Sequence, residues 1–316
     1  MIKPPHLKSK DKVALIAPGS RPAKPSDVKR AETIVAEMGF TPVVGKHVLN
    51  THGFMAGTDS ERLADLNHAI MDDSIRAIWC LTGGYGTLPL LPSLPYQEFE
   101  QSPKIVMGAE DNSHLTLALF ARTNVVTLYG PNADSVKSKQ AFETVKKSLT
   151  HVDYPELVTH DPVLEHYAFV GIEGSGKGQI LPVNLTALIS LFGTEFEPNL
   201  VGRLLLIEDA RERNDILDRW FTTLYISGKL SSVAALALGQ LDNVDSRGAS
   251  NMLSFEELVY DRVVEMGLPS CFDLPFNQTE SVVPVGIWGQ LEATSRGAKL
   301  TYLESVASNC GKYANC

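Results

Sequence analysis

Short apolar segments alternate with longer amphipathic segments through the first half of the chain. The apolar segments have the length of buried strands: Lys12–Ala17, Thr41–Val44, Ile75–Leu81, Ile105–Met107 and Val125–Tyr129. Helical spacing over Ser26–Met38 and Asp59–Met71 fills two of the intervals between them. Strands that alternate with helices form parallel sheets covered by helices, so this order predicts an α/β domain. In a domain of this kind, the ligand-binding or active site is expected at the carboxyl ends of the strands.

A second set of alternating segments follows residue 180. Helices are predicted at Asn184–Phe192, Ile216–Tyr225 and Phe255–Met266, and strands at Arg203–Ile207 and Val233–Leu238. The stretch 151–180 between the two sets is richer in proline, glycine and histidine and has little periodicity. We therefore predict an N-terminal domain over 1–150, a linker over 151–180 and a C-terminal α/β domain over 181–316.

Composition excludes several classes of protein. The 316 residues carry a net charge of −9, which argues against binding to nucleic acids or anionic membranes. The four cysteines form no C-x-x-C pair that would indicate zinc or redox chemistry, and we expect no metal and no cofactor. The first residues lack the apolar core of a signal peptide, and no apolar run has the length of a membrane span. We expect a cytoplasmic protein with reduced thiols, in which Cys310 and Cys316 lie in a frayed terminus.

The segment Lys104–Asp111 reads as a buried strand that runs into a tight turn, and an apolar helix follows it. Such a strand–turn–helix presents one side chain above a sheet, as the nucleophile elbow of hydrolases does. A hydrolase carries serine or cysteine at that position, whereas this chain carries Glu110. All eight histidines lie within the first 166 residues, so the second half of the chain has no imidazole that could act as a base.

Seven groups of residues occur in an order and spacing that are informative together. They are Ala56–Asp59 with Arg62 and Asp65–Asn67, Thr82–Thr87, Gly108–Asp111, Tyr129–Pro131, Asn184-Leu185 with Gly193-Thr194, Leu206–Asp209 with Asp218-Arg219, and Leu274–Phe276 with Pro284–Gly286. In this combination the chain resembles the LD-carboxypeptidase family of serine peptidases, which includes the microcin-immunity peptidases. The resemblance implies a flavodoxin-like or amidotransferase-like N-terminal domain, a C-terminal α/β domain, an active site between them, and a homodimer.

The resemblance also assigns positions in the site. The family's nucleophilic serine corresponds to Glu110, its triad glutamate corresponds to Glu208, and the segment that should carry its histidine contains Gln278. The backbone amides of Gly83 or Gly84 and of Asp111 correspond to the family's oxyanion hole. We expect Thr82, Tyr85, Tyr129 and His114 around the ligand. Thr82 replaces a family arginine, which weakens a muropeptide carboxylate as substrate; His114 could assist Glu110, join a metal site, or simply pack.

These residues leave three functions open. In the first, Glu110 and Glu208 form a carboxylate pair for acid/base chemistry without histidine, and Gln278 orients the substrate. The reaction would be amide hydrolysis, cyclisation or epimerisation of a small peptide-like or carbonyl metabolite. In the second, the protein is an inactive pseudopeptidase that binds a small ligand. The third is orthodox LD-carboxypeptidase activity.

Two glycine-rich runs raise the alternative of phosphate binding. The run Gly83–Gly86 lacks the lysine and the serine or threonine of a Walker motif. The run Gly174–Gly178 contains a lysine but lacks the preceding strand and the first glycine at the required spacing. We therefore predict that Gly174–Gly178 belongs to the flexible linker.

Overall fold

The computed structural model describes residues 1–151, 157–159, 170–210, 212–241 and 254–308. The chain divides into two compact units. The first unit combines residues 1–154 with 278–286 and 305–316, and the second combines 155–277 with 287–304.

The strands, in chain order, are β1 Lys12–Ile16, β2 Thr41–Val44, β3 Ile75–Cys80, β4 Ile105–Gly108, β5 Thr127–Tyr129, β6 Leu157–Thr159, β7 Val170–Ile172, β8 Gly174–Asn184, β9 Leu204–Glu208, β10 Ala235–Gly239, β11 Ser270–Leu274, β12 Val283–Val285, β13 Trp288–Thr294 and β14 Gly297–Tyr302. The α-helices are α1 Pro25–Glu37, α2 Asp59–Met71, α3 Tyr96–Gln101, α4 Ser113–Thr123, α5 Lys139–Thr150, α6 Leu185–Ser190, α7 Asn214–Ile226 and α8 Phe255–Met266.

The sheet of the first unit has the strand order β12-β5-β4-β3-β1-β2. Strands β1 to β5 run parallel, and β12 pairs with β5 in the antiparallel direction. The central strands β3 and β4 are almost entirely buried, as expected for a parallel sheet with helices on its faces. The α/β prediction is confirmed, and the carboxyl ends of β3 and β4 lie side by side because Trp79 is in register with Met107.

Helix α2 is held at both ends by polar groups. At its start, the Thr58 hydroxyl accepts from the Glu61 amide at 3.3 Å and the Glu61 carboxylate accepts from the Thr58 amide at 2.8 Å, which forms a capping box. At its end, the ammonium group of the fully buried Lys104 donates to the carbonyl oxygens of Ala69 at 3.0 Å and Asp72 at 2.5 Å. A cation at this end also complements the helix dipole.

The sheet of the second unit has the order β6-β14-β13-β8-β9-β10-β11-β7. Its parallel core is β8, β9, β10 and β11, and the β13–β14 hairpin pairs with β8 in the antiparallel direction. Buried leucine and isoleucine residues fill β9, and buried leucine, alanine and glycine residues fill β10, so this core is closed on both faces.

The prediction of a linker over 151–180 is wrong where the structure describes it. The run Gly174–Gly178 is the first half of strand β8, not a flexible segment. There is no room for a side chain at two of its glycines. A Cβ built at Gly178 would lie 2.0 Å from the carbonyl oxygen of Gly202, and a Cβ built at Gly176 would lie 2.4 Å from the carbonyl oxygen of Ala234. The glycines of this run therefore allow two backbone segments to approach closely. From composition alone, the same glycines had indicated a flexible segment.

The domain boundary predicted at residue 181 also differs from the division of the chain in the structure. Residues 278–286, predicted to lie in the C-terminal domain, belong to the first unit, where β12 extends the sheet beside β5. Local sequence patterns do not reveal such a return of the chain, because a strand of three residues has too little periodicity. Gln278 therefore shares a unit with Glu110, whereas Glu208 belongs to the other unit.

Within the described residues, no helix is both long and apolar enough to cross a membrane. The expectation that Cys310 and Cys316 lie in a frayed terminus concerns residues outside those described.

Lys104 predicts a pH dependence of stability. Burial lowers the pKa of Lys104 from 10.5 to about 8, although Asp73 and Asp72 attract its charge. Between these two values the unfolded chain binds more protons than the folded one, so raising the pH stabilises the fold. Relative to Lys104→Met, the wild type should gain up to about 3 kcal/mol of unfolding free energy across that range. Urea unfolding of both proteins at several pH values measures the difference; curves that stay parallel would contradict the lowered pKa.

Candidate functional site

The elbow connects β4 to α4 through a short 3-10 turn, Glu110–Asn112. Glu110 has a φ of 56°, the left-handed region that a non-glycine residue occupies at a cost of about 1–3 kcal/mol. The turn is also tight, since a Cβ built at Gly108 would lie 2.7 Å from Cβ of Asn112. This strained geometry at the carboxyl end of a buried strand matches the predicted elbow and leaves Glu110 half-buried.

The carboxylate of Glu110 lies on the glycine turn that follows β3. The amide of Gly84 donates to Oε2 of Glu110 at 3.0 Å. A Cβ built at Gly83 would lie 2.1 Å from the same oxygen, so the carboxylate occupies space that any larger residue would fill. Of the amides predicted to form an oxyanion hole, that of Gly84 thus already donates to a carboxyl oxygen of the chain itself.

Ser20 shapes the other side of the glycine turn, and sequence reasoning missed it. Gly84 has a φ of 99°, and a Cβ at this position would lie 2.2 Å from the Ser20 hydroxyl oxygen. That hydroxyl accepts from the amide of Tyr85 at 3.0 Å. The Tyr85 side chain is 64% exposed, which is compatible with its predicted contact to a ligand. The signal that could have found Ser20 is its position just after the first strand, at the same edge of the sheet.

A buried amide network supports the elbow from beneath. Oδ1 of Asn132 accepts from the Ala109 amide at 3.2 Å and from Nδ2 of Asn112 at 2.9 Å. Nδ2 of Asn112 also donates to the Thr82 carbonyl at 2.8 Å. Thr82 therefore contributes its backbone to this network, and its side chain is half-buried. The two asparagines connect the ends of β3, β4 and β5, and neither was predicted from the sequence.

Tyr129, predicted to contact the ligand, has no exposed surface. Its hydroxyl oxygen accepts from the amide of Glu110 at 3.4 Å, a long hydrogen bond. In the structure Tyr129 thus supports the backbone of the elbow.

Asp111 and His114 form a second support. Oδ2 of Asp111 accepts from the Thr87 amide at 2.7 Å, and Oδ1 lies 3.2 Å from Nδ1 of His114. Burial works to raise the pKa of Asp111, but the hydrogen bond and charge of His114, together with the Thr87 amide, outweigh it and lower that pKa. His114 is 5% exposed, so the structure places it as a packed partner of Asp111. The Asp111 carboxylate joins the elbow to the end of the glycine turn.

Cys80 lies beneath the same turns and is unsuited to act as a nucleophile. It is fully buried, and its sulfur lies 3.0 Å from a Cβ built at Gly108. Burial, followed by the charge of Asp111, raises the pKa of the Cys80 thiol far above its usual range. A buried and protonated thiol is unreactive.

The second unit contains the predicted Glu208 at the carboxyl end of β9. Glu208 is 1% exposed, and its Oε1 accepts from Nδ2 of Asn184 at 3.2 Å. The neighbouring Asp209 accepts from the amide and the hydroxyl of Thr186, at 3.0 and 2.8 Å. Burial raises the pKa of Asp209, while the hydrogen bonds from Thr186 and Asn184 oppose the rise. The carboxylates are anchored by the residues at the start of α6.

Gln278 lies in the turn between β11 and β12 and is 5% exposed. Its Oε1 is buried and has no hydrogen-bond partner among the described residues. A buried acceptor without a donor costs about 1–3 kcal/mol, so such an atom calls for an explanation.

The described part of the chain contains no group of three or more histidine, cysteine, aspartate or glutamate side chains placed to hold a metal ion.

Two family models match the sequence. The LD-carboxypeptidase N-terminal domain matches residues 13–130, and the LD-carboxypeptidase C-terminal domain matches residues 177–291. The chain belongs to the LD-carboxypeptidase family, as its motifs predicted.

Known proteins are similar to this chain over nearly its whole length. The probable murein peptide carboxypeptidase of Bacillus subtilis (strain 168) is 29% identical over 299 residues, which cover 94% of this chain and 93% of the relative. The solved structure of the microcin C7 immunity protein MccF in complex with glutamyl sulfamoyl guanosine has a TM-score of 0.86 at 22% identity, covering 98% of this chain and 100% of the other. Muramoyltetrapeptide carboxypeptidase from Oxalobacter formigenes has a TM-score of 0.80 at 23% identity, covering 92% and 98%. At these identities the two structures establish the fold alone.

The amide network predicts that the elbow depends on Asn132. Asn132→Ala removes the acceptor of two buried donors, on Ala109 and Asn112, and should lower the unfolding free energy by about 2 kcal/mol. Urea unfolding measures the change, and Gln97→Ala, which removes an exposed amide from the same unit, is the matched control. Equal effects of the two substitutions would show that the network does not hold the elbow.

Proposed function

We propose that this protein is a divergent LD-carboxypeptidase-family enzyme in which Glu110 moves protons for a reaction at an amide or related carbonyl group. The observation that carries the proposal is the hydrogen bond from the Gly84 amide to Oε2 of Glu110 at 3.0 Å. It holds a carboxylate at the family's elbow, beside a glycine turn with backbone donors. A held carboxylate is suited to proton transfer because its position is fixed before the substrate arrives.

Nucleophilic attack by Glu110 is less favourable than general base catalysis by the same residue. Attack on an amide would form an anhydride, which is more reactive than the amide consumed. As a general base, Glu110 would instead accept a proton from the water that attacks the carbonyl carbon. The C–N bond then breaks, and the same proton returns to the leaving amine. The same base beside backbone donors could also remove a proton next to a carbonyl, which leads to cyclisation or epimerisation.

Glu208 is proposed as the second carboxylate and Gln278 as a residue that orients the substrate. The unsatisfied Oε1 of Gln278 supports this role, because a ligand N–H or O–H could supply the donor it lacks. The pairing of Glu110 with Glu208 stays a prediction. If the two act as one unit, Glu110→Gln combined with Glu208→Gln should cost little more than the more damaging single substitution.

Noncatalytic ligand binding is the second candidate function, and one observation favours it. The Gly84 amide already donates to Glu110, so that amide is not available to an oxyanion unless the carboxylate moves. In a pseudopeptidase the Glu110 side chain would simply fill the former acyl site. Measurement of turnover on ligands that bind separates this candidate from the first.

The relatives suggest the ligands to test. Their names indicate murein peptides for the Bacillus subtilis protein and an acidic aminoacyl sulfamoyl nucleoside for MccF. We propose a small peptide-like substrate for this chain and a panel of muropeptides, aminoacyl sulfamoyl nucleosides and keto esters to find it. Thr82 replaces the arginine expected by resemblance, so substrates that do not rely on a carboxylate at that position should perform best.

We also propose a homodimer, on family resemblance alone. Light scattering at micromolar concentration should give twice the monomer mass, and a monomer mass would reject this.

Glu110→Gln tests the catalytic proposal, because glutamine keeps the shape of the side chain and removes its basicity. On a substrate from the panel, turnover should fall by roughly 10²–10⁴-fold while ligand affinity changes little. Glu100→Gln, an exposed substitution in α3, is the control and should leave turnover unchanged.

Two outcomes would overturn the assignment. If Glu110→Gln retains full turnover, the carboxylate is not the base. If no compound that binds is converted, the pseudopeptidase replaces the enzyme as the account of this protein.

A further inference from the structure

The first unit contains a cavity of about 460 Å³ between α2 and the sheet. None of its lining residues belongs to the elbow or to the glycine turn. Its floor consists of apolar side chains on β1, β2, α2 and β3: Ala14, Ile16, Val43, Val44, Ala69 and Ile75. The cavity is half open to solvent, and its volume lies within the range of roughly 300–1,000 Å³ that is typical of ligand pockets.

Small residues and an edge strand create the space. Ala14 and Ala69 are buried but short, and Ala64 is exposed at the mouth of the cavity. Strand β2 is the edge of the sheet, and its valines are only half-buried. The cavity therefore has an apolar floor and remains open to solvent along one side.

A buried carboxylate fixes the rim. The oxygens of Asp65, which is 8% exposed, accept from the Lys46 amide at 3.1 Å, the His47 amide at 2.8 Å and Nδ1 of His47 at 2.8 Å. Gly45 is required for this approach, since a Cβ there would lie 2.6 Å from Oδ2 of Asp65. The loop from Gly45 to His47 is thus wrapped around one carboxylate, which gives the rim a fixed shape.

Three of the four ionisable groups on the cavity lining are basic, and the carboxylates of Glu61 and Asp72 lie near enough to interact with His47 and His68. Asp65, on α2, is engaged by three donors of the loop from Gly45 to His47, so little of its charge is offered to a ligand. The other ionisable groups on the lining are Lys46, His47 and His68, all of which carry positive charge or none. Nδ1 of His47 is engaged by Asp65, so Lys46 and His68 are the remaining basic side chains on the lining.

We propose that this cavity is a second ligand site, which takes a small carboxylate with an apolar body. The apolar part would lie on Ala14, Ala69 and Ile75, and the carboxylate would lie at the rim beside Lys46 and His68. The site is independent of the proposed function of Glu110, so Glu110→Gln should leave binding intact.

The test uses three probes of matched shape: 4-phenylbutyrate, 4-phenylbutan-1-ol and 4-phenylbutylamine. Isothermal titration calorimetry should show 4-phenylbutyrate binding with a Kd of roughly 0.1–1 mM, and the alcohol and the amine several-fold more weakly. His68→Gln and Lys46→Gln should each weaken 4-phenylbutyrate about two- to fivefold and leave the alcohol unchanged.

Filling the cavity provides the steric test. Ala64→Leu should weaken the binding of 4-phenylbutyrate by at least roughly tenfold, because the larger side chain occupies space that the ligand needs. Ala64 is exposed, so the substitution should be compatible with folding, which circular dichroism checks. Ala36→Leu, on an exposed position of α1 outside the cavity, is the matched control.

The proposal fails on any of four results. These are no binding of 4-phenylbutyrate at about 10 mM, equal affinity for all three probes, undiminished binding by Ala64→Leu, or zinc binding through His47 and His68 without carboxylate binding. If Ala64→Leu does not fold, the His68→Gln and Lys46→Gln comparison decides alone, and an unchanged preference among head groups rejects the proposal.

Discussion

The hydrogen bond from the Gly84 amide to the Glu110 carboxylate joins two turns that follow neighbouring strands. Strands β3 and β4 are parallel and in register, so the glycine turn and the elbow emerge at the same edge of the sheet. Glu110 takes a left-handed backbone conformation, and the glycine turn makes room for the carboxylate. A carboxylate at this position is thus built into the local geometry on both sides.

The residues beneath these turns explain how the strain is tolerated. Asn112 and Asn132 connect the ends of three strands, and Asp111 joins the elbow to the amide of Thr87. Each of these bonds is worth about 1 kcal/mol, so together they are of the size needed to offset the cost of one left-handed residue. Hydrogen bonds therefore hold the backbone of the elbow both to the strand ends beneath it and to the glycine turn.

Much of the first unit follows from the sequence, because apolar runs and helical spacing are local signals. The strands β1 to β5, the helices α1 and α2, the elbow at Glu110 and the family were all predicted. Pairing that depends on distant parts of the chain was not. Strand β12 pairs with the first sheet, although its position in the sequence predicted that it belongs to the C-terminal domain. The glycines of β8 allow close backbone approach, although their composition predicted a flexible linker. Ser20 and Asn132 were missed because their importance depends on which strand ends meet.

The central claim is that the side chain of Glu110 accepts a hydrogen bond from the Gly84 amide, and NMR can test this directly. The amide proton shift of Gly84 should move as the pH is lowered through the titration of the carboxylate, because protonation weakens a charge-assisted hydrogen bond. In Glu110→Gln the same signal should start at a different shift and show no such titration. A Gly84 amide that has the same shift in both proteins, at every pH, would contradict the account.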